Sequence, residues 1–105
     1  MMKVTVLYSP PSDPEAFEEH YLSKHGPLVL QMPGLVRLET ARQVGTPDGS
    51  PSPYYRSAEL YFDDMDALGA AFASDPGKAA AKDAAELAGR TGSTTTFLIS
   101  AVDPG

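Results

Sequence analysis

The chain has 105 residues, the size of a single domain (residues 1–105) that buries roughly two thirds of its unfolded surface. A formal charge of −6, with eight scattered basic residues, argues against nucleic acid or anionic membrane as a partner, because both reward clustered Lys and Arg. The absence of cysteine excludes a disulfide framework, a thiolate nucleophile and a Cys-based metal site, and suits a reducing cytoplasm.

The opening residues, Met1-Met2-Lys3-Val4-Thr5, lead straight into strand-like sequence with no signal-peptide pattern. No run approaches the roughly 18 apolar residues of a membrane span. Lys3 to Tyr8 is β-branched and aromatic and predicts a strand, stopped by Ser9-Pro10-Pro11-Ser12. Asp13, Pro14 and Glu15 then supply an N-cap, a first-turn proline and a first-turn acid, a helix start. At 100° per residue Phe17, Tyr21, Lys24 and Leu28 share one side of that helix. Gly26-Pro27 is expected to break or kink it, and Pro33-Gly34 to end the segment.

Residues 35–43 alternate apolar and polar and predict a second strand. Gly45 to Pro53 is one long loop, either a plain surface loop or a cover for a pocket or partner contact. Tyr54 to Phe62 predicts a third strand. A helix capped by Asp63 and Asp64 should carry Met65, Leu68 and Phe72 into the core. Ser74-Asp75-Pro76 repeats the earlier start signal, with Asp75 read as a cap, so an alanine-rich helix follows over about 76–88, ended by Gly89 and Gly92. Ser93 to Val102 predicts the last strand.

The order β-α-β-β-α-β, with the second helix split, implies an α+β ferredoxin-like antiparallel sheet with helices on one face. The strands offer apolar side chains of both parities, so the uncovered face is expected to pack on a second copy as a homodimer.

The run from Asp13-Pro14-Glu15 through Phe17, Tyr21 and His25-Gly26-Pro27-Leu28 to Pro33-Gly34-Leu35 resembles the EthD-like family of dimeric α+β barrel proteins. So does Ala58-Glu59-Leu60-Tyr61-Phe62-Asp63-Asp64 with Leu68, Phe72 and Ser74 after it. The resemblance spans about residues 3–102. It implies two ferredoxin-like subunits whose sheets face each other, with a ligand pocket between each sheet and its helices and a histidine as acid/base. Relatives on this fold include cofactor-free lactone isomerases, polyketide cyclases and quinone-forming monooxygenases, alongside haem-binding branches. The chain departs from its relatives at Lys82 to Ala88, where Asp83 is kept but an aromatic is missing.

His25, at the edge of the apolar face and at the Gly26-Pro27 interruption, is the leading candidate for proton transfer. The alternative is a histidine that bonds a nearby carbonyl or carboxylate and locks the kink. His20 is read as a surface residue. The two histidines are five apart, outside the i, i+4 spacing that holds one metal from one helix face, so no metal is expected. Glu59, mid-strand, is either ion-paired with Arg37, Arg42 or Arg56, or a pocket carboxylate assisting His25. Tyr21, Tyr61 and Phe72 are candidate ligand-binding residues, with a core role as the alternative.

Three readings compete. The first is a cofactor-independent isomerase, cyclase or oxygenase acting on an apolar carbonyl-bearing or aromatic metabolite. The second is a non-catalytic auxiliary or ligand-binding homodimer supporting a degradative pathway. The third, a haem-associated protein with His25 as axial ligand, has nothing else in the sequence behind it, so no cofactor is expected.

Overall fold

The computed structural model describes residues 1–104. In chain order it has β1 (Met2–Tyr8), α1 (Pro14–His20), a π-helical turn (Tyr21–His25), α2 (Gly26–Leu30), β2 (Arg37–Arg42), β3 (Arg56–Phe62), α3 (Met65–Ala73), α4 (Asp75–Thr91) and β4 (Thr95–Ala101). The strands form one antiparallel sheet in the order β2-β3-β1-β4, the ferredoxin-like arrangement predicted from the element pattern.

The helix starts follow capping chemistry. Asp13 accepts the Ala16 N–H at 3.1 Å and Asp64 accepts the Ala67 N–H at 2.8 Å. At the third start Ser74, and not Asp75, is the cap, accepting the Gly77 N–H at 3.1 Å. Asp63 also lies outside the capping position that Asp64 fills. Helix α4 runs past Gly89 to Thr91 and ends where Gly92 takes the left-handed conformation (φ 71°).

The largest departure from expectation is at Gly26-Pro27. The helix neither breaks nor stops there; it widens just beforehand. The Gly26 N–H bonds the Tyr21 carbonyl five residues back, and the helix continues through Pro27 to Leu30. Pro27 has no N–H to offer, and its ring would meet the carbonyl four residues back in a regular helix. One residue of slack upstream relieves that conflict.

Alternation along the strands sorts the core. Val4, Val6 and Tyr8 of β1 and Ala58, Leu60 and Phe62 of β3 are buried beneath the helices. Phe17 and Tyr21 stack on each other at 5.5 Å, and the Tyr8 ring meets them edge-on at 5.2 and 5.7 Å. Leu68 is buried with them, but Met65 is 48% exposed and belongs to the surface.

The opposite face of the sheet is more polar than both-parity patterning suggested. It presents Lys3, Thr5 and Leu7 of β1 and Ser57, Glu59 and Tyr61 of β3. Glu39 and Glu59 stand directly opposite each other across β2 and β3, a repulsive placement offset by Arg37 on Glu39 and Lys3 on Glu59. Exposed apolar surface is instead concentrated on the edge strand β4, at Phe97, Leu98 and Ile99.

The tightest backbone approach joins α3 to α4. A Cβ added at Gly77 would lie 2.0 Å from the Ala71 carbonyl oxygen and 2.8 Å from the Phe72 Cα. Gly77→Ala should therefore force the two helices apart and cost about 3 kcal/mol, the upper part of the range for overpacking. Thermal unfolding followed by circular dichroism should then show a melting temperature lower by roughly 10–20 °C. A variant melting within about 2 °C of wild type, less than 1 kcal/mol for a domain this size, would contradict the contact.

Candidate functional site

Widening the helix changes which residues share a face. In a regular helix, residues five apart diverge by more than a quarter turn. In a π turn, five residues approximate one full turn, so His20 and His25 come to lie one above the other. Both are buried, at 8% and 7% exposure. Both point at a carboxylate that α4 delivers from below, Asp83, itself 3% exposed.

Asp83 accepts from both rings. His20 Nε2 lies 2.9 Å from its Oδ1 and 3.1 Å from its Oδ2, and His25 Nδ1 lies 3.0 Å from Oδ2. Lys24 Nζ approaches Oδ1 at 3.4 Å from the solvent side. Burial alone would raise the Asp83 carboxyl, but the hydrogen bonds from His20 and His25 outweigh it and hold the group below its ordinary value. Asp83 is therefore the ionised acceptor of two imidazole N–H groups.

His25 then has one nitrogen committed to Asp83 and one held only by a long contact. Its Nδ1–H donates to Asp83, which leaves the Nε2 lone pair facing inward, where the Tyr8 hydroxyl donates over a long 3.4 Å. Burial depresses the His25 pKa, and its hydrogen bond to Asp83 only partly offsets it, so the ring is neutral at physiological pH. Tyr21 stacks on the other side of the ring at 5.7 Å. Burial pushes the Tyr21 hydroxyl up to about 12 against the opposing pull of Arg56, and pushes Tyr8 up as well. Both phenols stay protonated and can only donate to an incoming anion.

These groups border a cavity between the sheet and the helices. Val6, Tyr8 and Leu60 form its floor, Tyr21 and His25 one wall, and Phe72 an end. The facing wall is the alanine side of α4, at Ala80, Ala81 and Ala84. The cavity with its mouth encloses about 470 Å³, of which only about 30 Å³ is inner space that admits water-sized molecules. The lining is almost wholly apolar apart from His25, the two phenols and Thr40.

The sequence model of the EthD domain matches residues 9–91, most of the chain. The chain belongs to the EthD family. An uncharacterised 11.0 kDa protein of Rhodococcus erythropolis, from the thcB-thcC intergenic region, is 47% identical over 88 residues, 84% of each chain. The crystal structure of an EthD (ethyl tert-butyl ether D) family protein from Bacillus halodurans superposes with a TM-score of 0.90 at 40% identity, covering 98% of this chain and 99% of that one. SnoaB, a cofactor-independent oxygenase from Streptomyces nogalater, shares the fold at a TM-score of 0.70 and 18% identity, over 99% of this chain and 94% of that one.

In this EthD-family chain the predicted site residues divide between the two faces of the sheet. His25, Tyr21 and Phe72 come together at the cavity. Glu59 and Tyr61 do not: their strand parity places them on the far side of the sheet. There Glu59 pairs with Lys3 at 2.7 Å, with none of the three arginines expected, and the Tyr61 hydroxyl donates to Glu39 at 3.1 Å. Arg56 is spent elsewhere, on Glu18 of α1. His20 is a buried member of the network and not a surface residue. Asp83 and Tyr8 were missed as site residues. Their signal was present in an acid on the apolar side of an alanine-rich helix and a tyrosine in phase with Val4 and Val6. Among the described residues no group of His, Cys, Asp and Glu is arranged to hold a metal ion, and no helix is long and apolar enough to cross a membrane.

The protonation states give a pH dependence of known sign. In the unfolded chain His25 takes up a proton from its ordinary value of 6.5 downward, whereas burial denies it that proton in the fold. The unfolded state then binds more protons, so stability falls as pH drops below about 6.5. Asp83 adds a further loss in the acid range, because its depressed carboxyl must be protonated there. Urea unfolding should give a smaller free energy at pH 5 than at pH 7, and His25→Gln should shrink the difference. An identical pH slope in the two proteins would show that His25 is not held neutral by the fold.

Proposed function

We propose that this chain binds an apolar, carbonyl-bearing or aromatic small molecule in the cavity between sheet and helices, and that His25 transfers a proton to or from it without a cofactor. The observation that carries this reading is the division of labour on one ring: Nδ1 is anchored on a buried carboxylate while Nε2 presents a lone pair to an apolar cavity. Neutral imidazole in that position is a general base, and the imidazolium formed when it takes a proton is stabilised by ionised Asp83 one bond away. The Tyr8 and Tyr21 hydroxyls stand beside it as donors for oxygen on which negative charge develops. Enolisation, followed by isomerisation, ring closure or reaction with oxygen, is the class of chemistry this arrangement serves. The cofactor-independent oxygenase SnoaB shares the fold, which supports including oxygen among the reactants.

We also propose that the working unit is a homodimer. Phe97 and Ile99 are about half exposed on the helix side of the edge strand and Leu98 on the other, an apolar ridge that a second copy would cover. A dimeric ferredoxin-like neighbour from Thermobifida fusca, at a TM-score of 0.70 and 15% identity, supports that assembly.

The test is a panel of cyclic ketones, phenols and quinols, screened by thermal shift and by chromatography of the products formed in air. His25→Gln, whose amide can still donate to Asp83, should retain ligand binding within a few-fold and lose turnover by about 10²–10⁴-fold, the scale of general acid–base catalysis. Turnover that survives this substitution would end the proton-transfer reading. Binding with no turnover by wild type would leave a ligand-binding protein only. In light scattering at micromolar concentration the expected mass is twice 11.1 kDa, and a mass near 11.1 kDa would end the dimer proposal.

A further inference from the structure

The hydrogen-bonded chain that ends at His25 Nε2 does not begin at Asp83. It extends outward through His20 to Arg90, near the end of α4, at the edge of a polar surface hollow lined by Glu19, His20, Ser23, Lys24 and Arg90. Arg90 Nη1 lies 2.8 Å from His20 Nδ1. A guanidinium can only donate, so His20 Nδ1 must be the acceptor there. Asp83 accepts at the other edge of the same ring, so His20 Nε2 carries the hydrogen. The two histidines are thereby held as opposite tautomers: His20 as Nε2–H and His25 as Nδ1–H.

The consequence is directional. A proton cannot pass from Asp83 to His20, because the His20 nitrogen facing Asp83 is already protonated. The outer half of the chain is therefore not a wire to solvent. It is a lock that keeps a donor pressed on Asp83 and so fixes the carboxylate against His25. We infer that Arg90 and His20 are positioning residues that set the tautomer of His25, Arg90 by dictating the tautomer of His20 and His20 by holding Asp83 in place. Without Arg90, His20 Nδ1 loses the donor that made it an acceptor, and nothing then fixes which nitrogen of that ring carries the hydrogen. In the Nδ1–H form it would turn a lone pair toward the Asp83 carboxylate, and the repulsion would loosen Asp83 from His25. His25 would then sample the Nε2–H tautomer, which offers no base to the cavity.

Among the described residues Arg90 has no carboxylate within 4 Å, so a surface ion pair does not account for its placement. Its own residue is exposed, so the side chain can be altered without opening the core.

Long-range ¹H–¹⁵N correlation spectra of the two imidazole rings, recorded on the full chain at neutral pH with no ligand, test the inference. Wild type should show one pyrrole-type and one pyridine-type nitrogen in each ring, with the hydrogen on Nε2 in His20 and on Nδ1 in His25. Arg90→Met keeps the aliphatic stem and removes every donor. In that variant the His25 Nδ1–H to Nε2–H ratio should fall several-fold. The same tautomer in both rings of wild type would overturn the inference with no variant needed. An unchanged His25 ratio in Arg90→Met would overturn the role of Arg90. The use of this lock in proton transfer rests on the reading of His25 given above, but its test needs no substrate. Tautomers as expected with an inert ligand panel would sink the proposed function alone, and turnover with scrambled tautomers would sink the lock alone.

Discussion

A single carboxylate shared by two imidazoles is the contact on which the cavity end of this molecule depends. Asp83 sits 58 residues from His25 and 63 from His20, on a different helix, and it is almost wholly removed from water. An ionised carboxylate in such a place is tolerable only with good donors on its oxygens. His20 and His25 supply them and in return lose their rotational freedom. The same contact ties α4 to the π turn, so the wall of the cavity and the group that faces into it are assembled by one interaction.

That contact in turn requires the widened turn. A regular α-helix would carry His20 and His25 to different sides, and only one could reach Asp83. Pro27 supplies the reason for the widening, and Gly26 supplies the N–H that closes it. A residue pair easily taken for a helix break is therefore better described as a register shift. It moves one histidine onto the face of another at the cost of a single irregular hydrogen bond.

Much of the fold was legible in the sequence because it rests on local rules. Proline and aspartate placed the helix starts, alternation placed the strands, and the element order gave the sheet. The place of His25 at the cavity was legible as well, from its position at the edge of the apolar face beside Gly26-Pro27. What escaped has two causes. His20 was judged by a 100° helical step that does not hold through a π turn, and Asp83 meets the histidines only through tertiary packing. Glu59 and Tyr61 are a different case. Ser57, Glu59 and Tyr61 alternate with Ala58, Leu60 and Phe62, so strand parity alone separates them from the buried face. The expectation of a second packed sheet obscured that plain alternation.

The alanines of α4 carry a consequence for how such a protein can diversify. Ala80, Ala81 and Ala84 shape the cavity, while Asp83, on the same helix, fixes the His25 ring. The shape of the cavity and the orientation of His25 are thus encoded by different side chains of one short stretch. Exchanging an alanine for a bulkier residue would remodel the space a ligand meets and leave the carboxylate–imidazole contact in place. A lineage can therefore reshape this cavity through single substitutions while the Asp83–His25 contact is inherited intact.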